Sequence, residues 1–220
     1  PKQGLLPPDL FLPLAEKTGL IIPIGNWVID EACRQLREWH LQGHTDWSMA
    51  VNLSTLQFEQ PSLVKTVLDC LTRHSVPPGM LILEVTETTA MSNPDESVRV
   101  LTALTDAGVK ASIDDFGTGY SSLLYLKRLP ACELKIDRAF VKELSGESED
   151  ATIVSAIIAL AKTLNLKVVA EGVETAAQQT FLTELGCNTL QGYLLGKPIT
   201  AQAIMEQCQH GEMSPSRMQS

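Results

Sequence analysis

The sequence predicts an α/β protein whose parallel sheet closes into a barrel of the TIM (β/α)8 type. From about residue 45 onward, short apolar runs alternate with stretches of helical period, which is typical of a parallel sheet. Each apolar run ends in a polar or acidic residue. A barrel gathers functional side chains from many strand ends, whereas an open doubly wound sheet concentrates them at one switch point. The spread of polar strand ends therefore favours the barrel.

Six apolar runs predict six of the eight strands that such a barrel contains. The runs and the polar residues that end them are Met49–Val51 with Asn52, Met80–Leu83 with Glu84, Val109–Ile113 with Asp114, Leu134–Ile136 with Asp137, Val168–Ala170 with Glu171, and Cys187–Leu190 with Gln191. Two further strands are expected upstream of Pro1, because the chain opens without a methionine and its first 43 residues have a helical pattern. The barrel domain is therefore predicted to be N-terminally incomplete.

Helical periods fill the remaining segments and predict their buried faces. Residues 8–16 and 27–39 are predicted helices before the first strand. The predicted buried face of a later helix consists of Ile153, Ile157, Leu160, Ala161 and Leu164. After the third strand, Leu123 and Leu126 are predicted core residues. The domain is assigned to residues 1–209, and the polar segment 210–220 is predicted to be a disordered tail.

Composition limits the function classes. The formal net charge of −9 argues against a partner that is a nucleic-acid polymer or an anionic membrane, since lysine and arginine supply affinity for phosphate. A small phosphorylated ligand stays compatible if metal ions provide local positive charge. Five scattered cysteines without a CxxC pair, no apolar run that could span a bilayer and no signal peptide predict a cytoplasmic domain, although the full-length protein could be anchored to a membrane.

The residues at the strand ends form a set rich in oxygen ligands and free of histidine and cysteine. The set is Asn52, Glu84, Asp114, Asp115, Lys135, Glu171, Glu174 and Gln191. Such ligands favour Mg²⁺ or Mn²⁺ over zinc. Two cations would offset the repulsion between Asp114 and Asp115, and a turn at Phe116-Gly117 would let both carboxylates reach the ions. Two ions about 4 Å apart are the usual clamp for phosphodiester hydrolysis.

Each of these residues also has an ordinary structural interpretation. Asp114 and Asp115 could cap a turn, Glu171 and Glu174 could complement a helix dipole, and Lys135 could form a simple salt bridge. Each interpretation is plausible alone. Their recurrence at consecutive strand ends favours a common site.

Seven segments identify a family. They are P-L-A-E-K-T-G-L-I, A-V-N-L-S, L-E-V-T-E, D-D-F-G-T-G-Y-S-S-L, L-K-I-D-R-A-F-V, V-A-E-G-V-E-T and Q-G-Y-L-L-G-K-P. In this order they resemble the EAL domain, the bacterial phosphodiesterase that hydrolyses cyclic di-GMP. The resemblance implies a modified TIM barrel and a product that is linear pGpG.

The resemblance also implies a site that holds two ions of Mg²⁺ or Mn²⁺. Four residues would be metal ligands: Asn52, Glu84, Asp114 and Glu171. Asp115 would serve the second metal, and Asn52 would also face the substrate.

Catalytic and substrate-binding roles follow from the same resemblance. Lys135 would contact and help to activate the attacking water, and Glu174 would support the water network. Asp137 and Gln191 would face the substrate. Glu87 would anchor the D-F-G-T-G-Y-S-S loop, which in the family contributes to a homodimer interface.

One departure from the family pattern concerns the Glu-Ala-Leu triplet, whose glutamate is a metal ligand in the family and which the chain lacks. Hydrolysis by these 220 residues alone is therefore expected to be low or absent. A sensory or GGDEF-type domain is expected upstream. The rival function is a non-catalytic cyclic di-GMP receptor. Degenerate members of the family usually lack metal acids or the loop motif, and the presence of both here favours the enzyme.

Overall fold

The computed structural model describes residues 6–119, 123–144 and 149–209. In these ranges six strands alternate with helices. The strands are β1 (Met49–Leu53), β2 (Leu81–Thr86), β3 (Lys110–Phe116), β4 (Glu133–Ile136), β5 (Lys167–Ala170) and β6 (Thr189–Leu190). The helices are α1 (Pro8–Thr18), α2 (Ile21–Leu41), α3 (Thr55–Phe58), α4 (Leu63–His74), α5 (Glu87–Ser92), α6 (Pro94–Asp106), α7 (Leu123–Leu126), α8 (Arg138–Lys142), α9 (Glu149–Thr163), α10 (Ala176–Glu184) and α11 (Ala201–Gln209). All six predicted strands are thus present, while the predicted tail at 210–220 lies outside the described residues.

The chain divides into two compact units, and the first comprises residues 1–85 and 92–111. Its strands β1 and β2 pair in parallel, with a register that runs from Met49 opposite Leu81 to Leu53 opposite Val85. Helix α2 packs on β1 and on α1, α3 and α4. Its buried face includes Ile29, Cys33 and Leu36, which repeat at the three- and four-residue spacing of an amphipathic helix.

The second unit comprises residues 86–91 and 112–220. Strands β3, β4, β5 and β6 pair in parallel, each with the next. Helix α9 packs on β4 and β5. Three consecutive residues of β4, from Leu134 to Ile136, are buried, as expected for a parallel strand that is covered on both faces.

Two predictions about buried residues were correct only in part. Helix α9 buries Ile157 and Ala161 as predicted, and it also buries Ala151, Val154 and Ile158, whereas the predicted Ile153 is 39% exposed. Most of this helix is apolar around its whole circumference, so its sequence period does not select a face. Leu123 is 58% exposed while Leu126 is 2% exposed, because the four-residue helix α7 has room for only one buried side.

Within the described segments, none of the helices has both the length and the apolar composition of a membrane span.

Candidate active site

Two predicted ligands lie in the first unit, on neighbouring strands. Asn52 and Glu84 are register partners near the carboxyl ends of β1 and β2. In-register residues of parallel strands project to the same face of the sheet, so these side chains lie next to each other. Glu84 is 7% exposed and Asn52 is exposed. The pair therefore presents one buried carboxylate beside one accessible amide.

In the second unit, a β-bulge reorients the adjacent aspartates of β3. The register passes from Ile113 opposite Leu134 to Phe116 opposite Ile136, so β3 contains one extra residue. Asp115 has a φ of 53°, in the left-handed region that aspartate tolerates better than most residues. Its backbone N–H donates to Asp114 Oδ1 at 2.9 Å. The break in strand alternation thus lies at Asp115 itself, one residue before the predicted Phe116-Gly117 turn.

The bulge brings three carboxylates together. Asp114, Asp115 and Glu171 each offer an oxygen, and these oxygens all lie within 4.8 Å of one another. Lys135 Nζ is 3.1 Å from Asp114 Oδ2 and 2.6 Å from Glu171 Oε1, and its side chain is only 4% exposed. Three carboxylates against one ammonium leave an excess of negative charge. The arrangement is thus suited to a divalent cation with oxygen ligands.

The neighbouring negative charges change the pKa of Asp115. Its pKa is raised to about 6, first by burial and then by the charge of Asp114. Asp137, which shares a hydrogen bond with Asp115, and Glu171 contribute in the same direction. Asp115 therefore loses its proton less readily than an isolated aspartate, and a nearby cation would favour its charged form.

Asp137 has a second, structural role that the sequence analysis did not assign. It is the N-cap of α8, and its Oδ1 accepts the N–H of Ala139 at 2.7 Å. An aspartate directly before a helix is a known cap signal, so the D-R-A-F sequence could have indicated this role. The cap holds the Asp137 carboxylate at the end of β4, beside Asp115.

The loops after β5 and β6 are joined by backbone hydrogen bonds. Val173 N–H donates to Gln191 O, and Leu194 N–H donates to Val173 O, both at 3.0 Å. A Cβ at Gly192 would lie 2.1 Å from Val173 O, so only glycine fits there. This close approach fixes the Glu171 loop against the Gln191 loop.

The structure does not bring Glu174 into the three-carboxylate group. Its backbone N–H donates to Gln178 Oε1 just before α10, and its side chain is exposed. Gln191 is also exposed, and it directly follows β6. Both side chains are accessible to ligand or water.

Glu87 begins α5 and is 1% exposed. Its Oε2 accepts the N–H of Gly117 at 2.7 Å, and this hydrogen bond links the residue after β3 to the start of α5. A Cβ at Gly119 would lie 3.0 Å from Glu87 Oε1, an oxygen that has no hydrogen-bond partner within the described ranges. Glu87 thus contacts the first part of the predicted loop, whose residues 120–122 lie outside the described chain.

Comparison with known proteins identifies the family of this chain. The sequence model of the EAL domain matches residues 1–198. The bifunctional diguanylate cyclase/cyclic di-GMP phosphodiesterase MucR of Pseudomonas aeruginosa is 64% identical over 93% of this chain and 30% of its own length. The cyclic di-GMP phosphodiesterase NbdA of the same organism is 47% identical over 94% of this chain and 26% of its own length. The chain therefore spans about a third or less of these relatives.

A solved complex of the MucR phosphodiesterase with c-di-GMP is similar in structure. It superimposes with a TM-score of 0.90 and 65% identity, covering 93% of this chain and 83% of the solved chain. This likeness confirms the predicted fold, a modified TIM barrel of which six strands are present. The family model, the sequence identity to MucR and the structural similarity agree with the resemblance seen in the seven sequence segments. This chain belongs to the EAL domain family.

Proposed function

We propose that this chain is the catalytic domain of a phosphodiesterase that hydrolyses cyclic di-GMP to linear pGpG. The observation that carries the proposal is the cluster of Asp114, Asp115 and Glu171, in which the buried Lys135 contacts Asp114 and Glu171. Two relatives that share most of this chain are named for the same activity. A merely structural ion pair would need neither a third carboxylate nor a bulge to place it.

Two divalent ions, Mg²⁺ or Mn²⁺, are proposed as cofactors. Asp114 and Glu171 would hold one ion and Asp115 would serve the second, with Asn52 and Glu84 as the further ligands that the family resemblance implies. When bound, the ions supply positive charge that stabilises the phosphoryl oxygens in the transition state. The local excess of carboxylates supports this proposal, and oxygen donors match both metals.

The side chains of the site would then divide the work on the substrate. Lys135 is fixed between Asp114 and Glu171 and would contact the attacking water and help to activate it, as the family resemblance implies. The water oxygen bonds to phosphorus, the bond from phosphorus to O3′ breaks, and the proton from water ends on O3′. The product carries a 5′-phosphate and a 3′-hydroxyl, which is pGpG.

The remaining predicted residues would act around this step. Asp137 and Gln191 would contact the substrate at the ends of β4 and β6. Glu174 is accessible and would order water near the site. Glu87 would hold the start of the loop after β3 through Gly117.

Hydrolysis by the purified full-length protein tests the proposal. With Mg²⁺ or Mn²⁺ we expect conversion of cyclic di-GMP to pGpG, measured by liquid chromatography, and loss of conversion when EDTA removes the metal. Readdition of metal should restore it, which controls for unfolding. Tight binding of cyclic di-GMP without turnover in any divalent metal would contradict the enzyme and identify the receptor alternative.

The assembly around the domain is also a proposal. Leu123 is 58% and Leu124 is 68% exposed directly after the loop that follows β3, and such apolar exposure supports a homodimer contact. The relatives are about three times longer, which supports a further regulatory domain, of the GGDEF type in view of the name of MucR. A cytoplasmic site of action is part of the same proposal. Sedimentation of the full-length protein should show a dimer that Leu124→Glu weakens. A wild-type monomer at all micromolar concentrations would contradict the dimer.

A further inference from the structure

Arg138 is an exposed cation at the end of β4 that the roles above leave unused. It follows the cap Asp137 and is the first residue of α8. No salt bridge or side-chain hydrogen bond joins it to another residue in the part of the chain that the structure describes. Its guanidinium is therefore available to a ligand.

The first carbons of the Arg138 side chain pack against Gly172. Gly172 has a φ of 70°, and a Cβ built on it would lie 2.6 Å from Arg138 Cβ and 3.9 Å from Arg138 Cγ. Both the backbone conformation and the lack of space require glycine. The aliphatic stem of Arg138 thus lies over the residue that directly follows the predicted metal ligand Glu171.

Several carboxylates lie in the described segments next to Arg138, but Arg138 pairs with none of them. Asp115, Asp137 and Glu171 are all carboxylates of the adjoining segments, yet none of them pairs with Arg138 in the structure. Lys135 is buried and engaged with Asp114 and Glu171. The positive charge of Arg138 is therefore exposed to solvent, whereas that of Lys135 is buried within the carboxylate cluster.

We propose that Arg138 binds the phosphate of the cyclic dinucleotide that is not cleaved. This inference rests on the proposed function, because cyclic di-GMP carries two phosphodiester groups and the metal cluster acts on only one. The second phosphate is an anion at the edge of an acidic site and needs a donor. A guanidinium can bind two phosphate oxygens at once, which an ammonium cannot match. Arg138 would therefore contribute to substrate affinity and not to the chemical step.

Kinetics of the full-length protein with two substrates test this role. For Arg138→Ala we expect the KM for cyclic di-GMP to rise about tenfold while kcat stays within about twofold, as for loss of a charged hydrogen bond. Arg138→Lys should be intermediate. Hydrolysis of bis(p-nitrophenyl) phosphate, which has a single phosphate, should not change. Lys142→Ala is the matched control, since Lys142 is exposed on the same helix and should leave both reactions unchanged.

Binding measured without metal separates this inference from the proposed function. In EDTA, calorimetric titration with cyclic di-GMP should show a Kd about tenfold weaker for Arg138→Ala than for the wild type. Equal affinities, or equal losses on both substrates, would overturn the role of Arg138 while leaving the phosphodiesterase proposal intact. A wild-type protein that fails to hydrolyse cyclic di-GMP would overturn the proposed function, and the same titration would still decide whether Arg138 binds the ligand.

Discussion

Replacing Glu171 by glutamine is expected to lower kcat/KM for cyclic di-GMP about a thousandfold, or about 4 kcal/mol of transition-state stabilisation. Glutamine keeps the size of the side chain but removes the negative charge of a proposed metal ligand. It also weakens the 2.6 Å contact that fixes Lys135. The measurement is initial-rate formation of pGpG at saturating Mg²⁺ in the full-length protein.

Stability distinguishes this loss from unfolding. Because the cluster has excess negative charge, Glu171→Gln should not lower the thermal midpoint in EDTA, while the rise of the midpoint on adding Mg²⁺ should shrink. Glu184→Gln, at the exposed end of α10, is the control and should behave as the wild type does. Activity within tenfold of the wild type would remove Glu171 from the metal site.

Replacing Lys135 by methionine is expected to lower the free energy of unfolding by about 3 kcal/mol in metal-free buffer. Methionine fills similar volume, but the side chains of Asp114 and Glu171, 10% and 18% exposed, lose their shared cation. Added Mg²⁺ should recover part of the deficit, since a divalent ion supplies positive charge to the same carboxylates. Denaturant unfolding with and without metal measures both effects.

The activity of Lys135→Met should also fall by about a hundredfold or more, because the proposed contact with the attacking water is lost. Lys167→Met provides the control, since Lys167 is exposed at the start of the neighbouring strand β5. If Lys135→Met and Lys167→Met had the same stability in metal-free buffer, Lys135 would not be the cation that holds the cluster together.

The strands of this protein could be predicted from short stretches of its sequence. The six strands follow from short apolar runs that end in polar residues, and both features are visible within a few positions of the chain. The grouping of Asp114, Asp115 and Glu171 follows from topology, because parallel strands place their carboxyl ends at one edge. The full ligand set with Asn52 and Glu84 remains a prediction.

Other features depended on contacts between distant residues. The buried face of α9 could be predicted only in part, because apolar residues occur on more than one side of this helix and the strands on which it packs decide its orientation. Leu123 was predicted to be buried for its hydrophobicity alone, although a four-residue helix cannot bury every leucine.

The sequence by itself therefore determined the fold class, the family and the acidic chemistry of the strand ends, since these depend on residue type and spacing along the chain. Only the tertiary structure decided how the acids are used. The extra residue in β3 is defined by its pairing with β4, and that pairing turns Asp115 into the left-handed region beside Asp114. Likewise, Lys135 could have paired with any nearby acid, and its position between Asp114 and Glu171 results from the alignment of β3, β4 and β5.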